Sequence, residues 1–332
     1  MATLNPSSNE PTNATELPQT PPPLRPDEET DKRDDGLSAF APVRPRLFGI
    51  AYRMLGSAAE AEDIVQDVWL RWQSINRSTV ENPPAYLATT TTRLCINLSQ
   101  SAHSRRETYI GTWLPEPVDT SSDPRIGAER GEALKLAVLL LLEKLSPTER
   151  AAYVLREAFD YPYRQIADIL QMEEANVRQL VSRARKHIED GRRTPVSSGE
   201  QRRLLEAFIA AAQKADMAAL EGLFAEDVAS YSDGGGLVRA AGVPVTGRER
   251  VATFIAAISK WCWKGVTLDW VETNGQAAVL VSRNGPPFAL TLDASEQGID
   301  QIMWILRPSK LAAISKLGQR MADRDAAGPA AA

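Results

Sequence analysis

Hydrophobic residues recur at helical spacing between residues 45 and 106. In the first stretch they lie three and four positions apart, at Leu47, Ile50, Ala51, Met54 and Leu55. Gly56 and Ser57 end this helix, and the Ser57 side chain is suited to cap the next one. A third helix is predicted from residue 85 to about residue 102, after the break at residues 82–84. The pattern therefore predicts a small all-α domain.

The second of these helices has two contrasting faces. Its apolar residues share one side and are Ala61, Ile64, Val65, Val68, Trp69 and Trp72. Its polar residues share the opposite side and are Glu62, Asp63, Gln66 and Asp67. The third helix carries few basic residues, chiefly Arg93, and it ends in Arg105 and Arg106. We expect the apolar side to pack in the domain core and the acidic side to face outward.

Residues 107–128 are rich in Gly, Pro, Asp and Ser and surround one apolar island, Trp113-Leu114-Pro115-Glu116-Pro117. Two prolines exclude a helix there. A tryptophan in such a segment is expected to dock on another surface. The simpler alternative is a local hydrophobic contact with a neighbouring domain that only stiffens the molecule.

Helical spacing returns over residues 129–190. A capping box, Ser146-Pro147-Thr148-Glu149, is predicted to start a helix that reaches about Phe159. A short helix over residues 163–170, a tight turn at Gln171-Met172 and a longer helix over residues 173–188 follow. This order is typical of a helix-turn-helix motif.

The longer helix of this motif has one apolar and one basic face. Val177, Leu180, Val181, Ala184 and Ile188 share the apolar side. The opposite side holds Arg178, Gln179, Ser182, Arg183 and Lys186. A basic face directed away from the core suits a helix in the major groove of DNA. A solvated basic helix in an ordinary bundle is the alternative, and the preceding short helix and turn make it less favoured.

The pattern changes again after a short Pro/Ser/Gly linker. Helices are predicted over residues 202–214, 216–224 and 249–260, and a last one from Pro308 to about residue 321. Strands are predicted over residues 228–232, 265–271, 277–283, 288–293 and 299–306. Asn274-Gly275 is a strong hairpin turn signal between two of these strands. The pattern predicts an α+β domain with helices on one face of an antiparallel sheet.

Both ends of the chain differ in composition from the rest of it. Residues 1–36 carry eight acids, three bases and seven of the 22 prolines, so they are predicted to form a disordered acidic tail. The net charge is −5, and residues 37–332 are neutral, which argues against a generally basic nucleic-acid coat protein. The Ala-rich end, residues 323–332, is predicted to fray.

Several classes of protein are excluded by what the sequence lacks. The only cysteines, Cys95 and Cys262, lie far apart, so neither a structural zinc site nor a thioredoxin-type motif is predicted. The longest apolar run, residues 137–142, is far shorter than the roughly 18 residues of a membrane span. No secretory signal is recognisable. We expect a cytoplasmic protein with no metal, no cofactor and no membrane partner.

Two long motifs carry a family resemblance. Residues 44–57 and 61–72 resemble conserved region 2 of a bacterial sigma factor of the extracytoplasmic-function (ECF) class, and residues 145–150 through 175–185 resemble region 4. The last domain resembles a SnoaL-like fold, and Trp-Leu-Pro-Glu-Pro matches the subgroup that carries this extension. The resemblance implies two all-α sigma domains, the second a helix-turn-helix, followed by an α+β SnoaL-like domain.

This interpretation divides the chain into seven parts. They are the tail 1–36, sigma region 2 at 37–106, the linker 107–128, sigma region 4 at 129–193, a second linker 194–200, the SnoaL-like regulatory domain 201–322 and the end 323–332.

The resemblance also implies binding roles for particular residues. Glu62, Asp63, Gln66 and Asp67 would bind the clamp helices of the largest subunit of RNA polymerase. The third helix would melt the −10 promoter element and bind it as single-stranded DNA, through Arg93, Asn97, Arg105 and Arg106. The −35 element would be read in the duplex groove by Asn176, Arg178, Gln179, Ser182, Arg183 and Lys186. The polymerase performs the chemistry, so the chain itself is not expected to be an enzyme.

In the same subgroup the extension replaces a separate anti-sigma factor as the regulator. The implied regulatory residues are Trp113, Leu114 and Pro115 in the linker, and Asp233, Gly234, Gly235 and Lys310 in the extension. The chain departs from the family pattern in three places. Asn97 stands where relatives usually carry aspartate, Gln171 stands where the turn commonly has glycine, and Arg307-Pro308-Ser309-Lys310-Leu311 only partly matches the Asn-Pro-Asp-Lys-Leu element.

Two alternatives stay open. SnoaL-like folds include cyclases and isomerases, whose chemistry usually needs a carboxyl paired with His or Tyr. This domain has no histidine, and Tyr231, Asp233 and Asp269 are the remaining acid/base candidates, although an aspartate before a glycine run typically forms a turn. The domain could instead bind a small ligand in a helix-turn-helix regulator. A simple repressor is disfavoured because it has no need for the acidic helix.

Overall fold

The computed structural model describes residues 36–107, 109–120, 135–191, 193–283, 285–312 and 314. The predicted disordered tail, except for Gly36, lies outside these residues. Residues 121–134, which belong to the predicted linker and region 4, also lie outside the described residues. The same holds for the end that is predicted to fray, residues 323–332. Within the described residues, the chain forms two helical domains followed by a domain of helices and one sheet.

The first helical domain contains the three helices that the sequence predicts. Its elements are α1 (Leu37–Phe40), α2 (Arg44–Leu55), α3 (Ala58–Ser74), a 3₁₀ turn (Arg77–Thr79) and α4 (Pro83–Glu107). Gly56 ends α2 in the left-handed region, at φ 66°. Ser57 then caps α3, because its hydroxyl accepts a hydrogen bond from the Glu60 amide at 3.2 Å. The predicted apolar residues of α2 are all buried.

The second helical domain contains the predicted helix-turn-helix. Its elements are α5 (Leu136–Leu142), α6 (Pro147–Tyr153), a π-helical segment (Val154–Ala158), α7 (Tyr163–Leu170) and α8 (Glu174–Asp190). The capping box at Ser146 and Glu149 is present at the start of α6. Gln171 ends α7 at φ 55°, so it adopts the conformation for which glycine is common. All five predicted apolar residues of α8 are buried.

The third domain places a six-stranded sheet beside its helices. The elements are α9 (Ser198–Lys214), α10 (Met217–Leu223), β1 (Phe224–Asp233), β2 (Val245–Thr246), α11 (Arg248–Cys262), β3 (Thr267–Thr273), β4 (Gln276–Arg283), β5 (Gly285–Ser295) and β6 (Gly298–Ile305). Residues 308–312 are helical again. The strand order is β2-β1-β6-β5-β4-β3.

The prediction of an antiparallel sheet is wrong at one place. β1 and β6 pair in parallel, with Asp233 opposite Ile305, whereas the other neighbours are antiparallel. Alternation of apolar and polar residues does not depend on strand direction, so the sequence pattern could not reveal this. The parallel pairing brings the end of β1 beside the end of β6 and the helical residues that follow it.

The two faces of the sheet pack against different partners. One face forms a core with the helices of the same domain, including Phe208, Ile255 and Trp304. Residues of the other face, such as Leu280 and Met303, belong to one continuous core with both helical domains. The sheet is therefore the surface on which the helical part of the chain rests. Among the described helices, none has the length and apolar character needed to cross a bilayer.

Candidate functional site

Residues 109–120, here called the linker strand, run between the helical domains and the sheet. Leu114 is completely buried, and Pro115 and Val118 are also buried. The Glu116 amide donates to the Gly56 carbonyl at 2.7 Å, and Asp119 forms a β-bridge with Thr273. The apolar island of the linker thus docks on other domains, as the sequence predicts.

A buried ion pair holds the linker strand at Leu114. Asp233, at the end of β1, is completely buried, and its Oδ2 accepts hydrogen bonds from the Leu114 amide at 2.9 Å and from Lys310 Nζ at 2.7 Å. Lys310 Nζ also donates to the Leu114 carbonyl oxygen. The pair therefore satisfies both backbone polar groups of one buried linker residue. We call Tyr109, Leu114, Asp233 and Lys310 the linker clasp.

The parallel strand register places the two charged residues of the clasp together. Asp233 ends β1 opposite Ile305 of β6, and the Leu306 amide donates to the Asp233 carbonyl oxygen at 2.9 Å. Pro308 then begins the helical residues that carry Lys310. Asp233 and Lys310 are 77 positions apart in sequence. They meet because Asp233 ends β1 and Lys310 comes shortly after the end of the neighbouring strand β6.

Glycines after Asp233 let the linker strand approach the backbone closely. Gly235 has φ 57°, and a Cβ there would lie 2.9 Å from the Tyr109 hydroxyl. A Cβ on Gly234 would lie 2.2 Å from the Val238 carbonyl oxygen, so the turn itself excludes a side chain. The structure therefore brings Asp233 and Gly235 into contact with the linker strand. Gly234 instead permits the tight turn of the loop itself.

Tyr109 completes the clasp through a contact that was not predicted, and Trp113 packs beside it. The Tyr109 hydroxyl donates to Asp233 Oδ1 at 2.5 Å and accepts from Arg307 Nη1 at 3.2 Å. Partial burial, and then the hydrogen bond to Asp233, raise the pKa of Tyr109 to about 12, so the phenol keeps its proton at neutral pH. Lys310 Nζ lies 4.5 Å from the centre of the Trp113 ring, in cation–π geometry.

A second contact holds the linker strand at Val118. Asn274 and Gly275 have φ values of 55° and 71°, as expected for a type I′ turn between β3 and β4. Asn274 Oδ1 accepts from the Val118 amide at 3.0 Å, and the Asn274 amide donates to the Val118 carbonyl at 3.0 Å. The Gly275 amide donates to Thr120 Oγ1 at 3.0 Å. We call this set the hairpin contact.

The hairpin contact also reaches the first helical domain. Asn274 Nδ2 donates to the Tyr52 hydroxyl at 2.7 Å, and that hydroxyl donates to the Glu116 carbonyl at 2.6 Å. Complete burial raises the pKa of Tyr52. The sequence offered no signal for this role, because turn formation by itself accounts for Asn274-Gly275.

The acidic face of α3 is exposed at all four predicted residues, Glu62, Asp63, Gln66 and Asp67. Glu62 pairs with Arg44 at 2.6 Å on the surface. The linker strand contacts the start of the same helix, where Glu116 Oε2 accepts from the Ala58 amide at 2.9 Å and from Ser57 Oγ at 3.1 Å. A carboxylate there is favourable, because helix amide groups and the helix dipole attract negative charge.

The basic face of α8 is exposed at all six predicted residues, Asn176, Arg178, Gln179, Ser182, Arg183 and Lys186. Arg178 pairs with Glu174 at 2.5 Å, and its guanidinium carbon lies 4.4 Å from the centre of the Tyr163 ring. Arg183 lies 3.9 Å from a Glu149 carboxylate oxygen. These are surface contacts, so they leave the face accessible.

The candidate residues of α4 are arranged differently. Arg93 and Asn97 are exposed, but Arg93 Nε donates to the Ile169 carbonyl at 3.1 Å, at the end of α7. The side chains of Arg105 and Arg106 lie outside the described residues. The structure therefore places Arg93 against the helix-turn-helix.

Two arginines, one buried and one half-buried, join the two helical domains elsewhere. Arg150 Nη1 donates to the Met54 carbonyl at 2.7 Å and pairs with Glu143 at 2.7 Å, and burial lowers the pKa of Arg150 to about 10. Arg46 Nη2 donates to the Phe159 carbonyl at 2.7 Å. The first and second helical domains are thus packed directly on each other.

Comparison with known proteins matches both helical domains to sigma factors. The family model described as Sigma-70 region 2 matches residues 39–106, and that described as Sigma-70, region 4 matches residues 135–188. The ECF RNA polymerase sigma factor SigJ of Mycobacterium tuberculosis is 37% identical over 67% of this chain and 72% of its own length. The chain belongs to the ECF RNA polymerase sigma factors.

One further relative and a solved structure extend the likeness into the third domain. The probable ECF sigma factor SigI of Mycobacterium tuberculosis is 31% identical over 84% of this chain and 96% of its own length. The crystal structure of Mycobacterium tuberculosis SigJ matches 83% of this chain and 98% of that chain, with a TM-score of 0.69 and 30% identity. This alternative sigma factor thus combines regions 2 and 4 with a C-terminal domain of helices and a sheet.

The three acid/base candidates of the C-terminal domain do not form one site. Tyr231 and Asp233 lie on β1 and Asp269 lies on β3, four strand steps away, which is about 19 Å. Asp233 is occupied by the linker clasp. Within the described residues, no three His, Cys, Asp or Glu side chains are grouped so that they could hold a metal ion.

Proposed function

We propose that this sigma factor binds core RNA polymerase through the acidic face of α3 and directs it to promoters. In this proposal α4 binds the −10 element as single-stranded DNA, and α8 reads the −35 element in the duplex. The clamp helices of the largest polymerase subunit are the surface that would receive α3. The sigma factor would act in the cytoplasm, with no membrane partner and no cofactor.

We further propose that the C-terminal domain inhibits this activity through the linker strand. The observation that carries the proposal is the burial of the linker strand between domains by the linker clasp. The faces of α3 and α8 are exposed at the same time. The clasped chain could therefore meet its partners before the linker is released, and no separate anti-sigma factor would be required.

The distance between promoter elements supports inhibition. Positions −35 and −10 are separated by roughly 85 Å along B-form DNA, since each base pair adds about 3.4 Å. In the clasped chain, Arg93 of α4 contacts Ile169 of α7 at 3.1 Å. Two helices packed so closely cannot occupy both elements, so the helical domains must separate. The linker strand between them must then leave the sheet.

A regulatory role for the C-terminal domain is preferred to a catalytic one. The sheet face that bears Asp233 is covered by the linker strand, and the carboxylate has three hydrogen-bond donors there. A general base needs access to a substrate proton, and this carboxylate has none in the clasped chain.

Binding to core polymerase tests the first part of the proposal. Reversing two charges on α3, with Asp63→Lys and Asp67→Lys together, should abolish co-purification with core enzyme, because the new lysines would repel the basic surface that an acidic face is expected to bind. Glu206→Lys with Glu226→Lys is the matched control, since both residues are exposed in the C-terminal domain. Undiminished binding by the α3 variant, judged at unchanged helix content, would contradict the assignment.

Abortive transcription with core polymerase tests the inhibition. Asp233→Asn keeps the size of the side chain but removes its charge, so it should release the linker and raise abortive product severalfold over the intact chain. Asp269→Asn, a half-buried position on β3 outside the clasp, is the control and should behave like the intact chain. Equal activity of all three proteins would show that the extension is not an inhibitor.

A further inference from the structure

A cavity of about 330 Å³ lies in the C-terminal domain, between α11 and the sheet face covered by helices. Its walls are mostly aromatic and aliphatic, with Phe254, Ile258 and Trp261 from α11 and Phe288, Trp304 and Leu306 from the sheet side. Pockets for small organic ligands usually measure about 300–1,000 Å³. The cavity is therefore large enough for a molecule with two or three rings.

The polar part of the lining selects for negative charge. Among the described residues that line the cavity, Arg239 is the only charged one, and it is exposed at the opening. No carboxylate of the described residues forms an ion pair or a hydrogen bond with Arg239. A guanidinium group binds carboxylate, sulfonate or phosphate groups through paired hydrogen bonds. Trp261, which is 52% exposed, stands beside the same opening.

The cavity and the linker clasp lie on opposite sides of the same strand ends. Ser232 lines the cavity, and the next residue, Asp233, holds the clasp from the other face, because successive residues of a strand point in opposite directions. Leu306 also lines the cavity, and the next residue, Arg307, contacts Tyr109. Ser232 pairs with Trp304 in the parallel register. The ends of β1 and β6 thus carry the clasp on one face and form a wall of the cavity on the other.

We propose that this cavity binds a small, ring-containing organic anion, with its rings between α11 and the sheet and its acidic group on Arg239. Because Ser232 and Leu306 line the cavity directly beside Asp233 and Arg307, release of the linker would disturb a cavity wall, so an occupant favours the clasped state and opposes release of the linker. Binding itself is independent of the proposed function. Only the effect on transcription rests on it.

The fluorescent probe 8-anilinonaphthalene-1-sulfonate tests binding, because it carries fused rings and one anionic group. The full chain should bind it saturably at one site. Arg239→Gln should weaken binding roughly tenfold, in line with loss of a hydrogen bond to a charged group. Arg250→Gln, an exposed position on α11 outside the lining, is the matched control. N-phenyl-1-naphthylamine, which lacks the sulfonate, should bind the intact chain and the Arg239→Gln variant equally.

A blocking variant tests the location. Ala257 lines the cavity but is exposed, so Ala257→Trp should fill the opening without disturbing the core and should abolish probe binding. Thr253→Trp, one turn earlier and outside the lining, should not. Binding that is unaffected by Ala257→Trp, or that does not saturate, would overturn the site. Absence of probe binding to the full chain would also overturn it.

Reciprocity tests the coupling between cavity and clasp. If an occupied cavity stabilises the clasp, then opening the clasp must weaken probe binding by the same factor. Asp233→Asn, which opens the clasp, should therefore raise the Kd of the probe by that factor. The probe should also lower abortive transcription by the intact chain but not by Ala257→Trp. Equal probe affinities for Asp233→Asn and the intact chain would overturn the coupling. Because affinity is measured without polymerase, that result is separate from any failure of the proposed inhibition.

Discussion

The C-terminal domain holds the linker strand at two places that use different chemistry. At Leu114 the linker clasp relies on a buried ion pair between Asp233 and Lys310. At Val118 the hairpin contact uses one neutral amide side chain and backbone groups. Removing one charge of a buried ion pair leaves the other charge without a partner, which has a high free-energy cost. Removing one neutral hydrogen bond has a smaller cost.

The two contacts also connect to different parts of the molecule. The clasp lies at the ends of β1 and β6, beside the cavity, and is therefore placed to respond to events inside the C-terminal domain. The hairpin contact reaches Tyr52 of the first helical domain. We interpret the clasp as the part that releases the linker and the hairpin contact as the part that aligns it.

The largest expected effect comes from breaking the ion pair. Asp233→Asn leaves Lys310 buried without a counter-charge, which costs about 3–5 kcal/mol in comparable pairs. Hydrogen exchange should report this as a large loss of protection at the Leu114 amide, which donates to Asp233. Protection at the Val118 amide should fall less, because its acceptor is Asn274.

The double variant Asp233→Asn with Lys310→Met sharpens this test. Removing both charges leaves no uncompensated charge, so the double variant should lose less stability than the two single variants added together. Additive losses would show that the two residues do not act as a pair.

A smaller effect is expected at the hairpin contact. Asn274→Gly keeps a residue that tolerates the left-handed turn at φ 55° but removes the side chain that contacts Val118 and Tyr52. The expected loss is about 1–3 kcal/mol, which is the cost of leaving buried polar groups without a partner. It should appear in hydrogen exchange at Val118. An equal loss at Leu114 and at Val118 would mean that the two contacts open together.

The smallest effect is expected at Tyr109, and it depends on pH. The folded-state pKa of about 12 lies above the usual value near 10, so the contribution of the phenol is complete below pH 10 and is lost as pH rises towards 12. Tyr109→Phe should weaken the clasp by less than about 1 kcal/mol, because the residue is half-exposed.

Exchange at Leu114 measured across this pH range should show the extra loss in the intact chain and not in Tyr109→Phe. Lys310 and Arg307 both lie over the aromatic ring at position 109, which Phe retains, so the difference between the two curves isolates the Tyr109 hydroxyl. Identical curves would contradict the raised pKa.

Local features were predictable from the sequence because they depend on neighbouring residues. The spacing of Val177, Leu180 and Val181 identified the buried side of α8, and the capping residues Ser57 and Ser146 identified two helix starts. Exposure of the α3 and α8 faces follows from the same periodicity. The roles of these faces in binding polymerase and DNA remain predictions.

The elements, their buried faces and the need of Trp113-Leu114 for a partner surface could be predicted from the sequence, and the family resemblance named Asp233 and Lys310 as regulatory residues. The contacts that join these residues to the linker strand could be seen only in the folded chain. The parallel pairing of β1 with β6 brings Asp233 to Lys310, and the β3–β4 turn brings Asn274 to Tyr52, 222 positions away in the chain. Alternation along a strand reports which side is buried but carries neither direction nor partner, so contacts between distant residues arise only when the sheet is assembled.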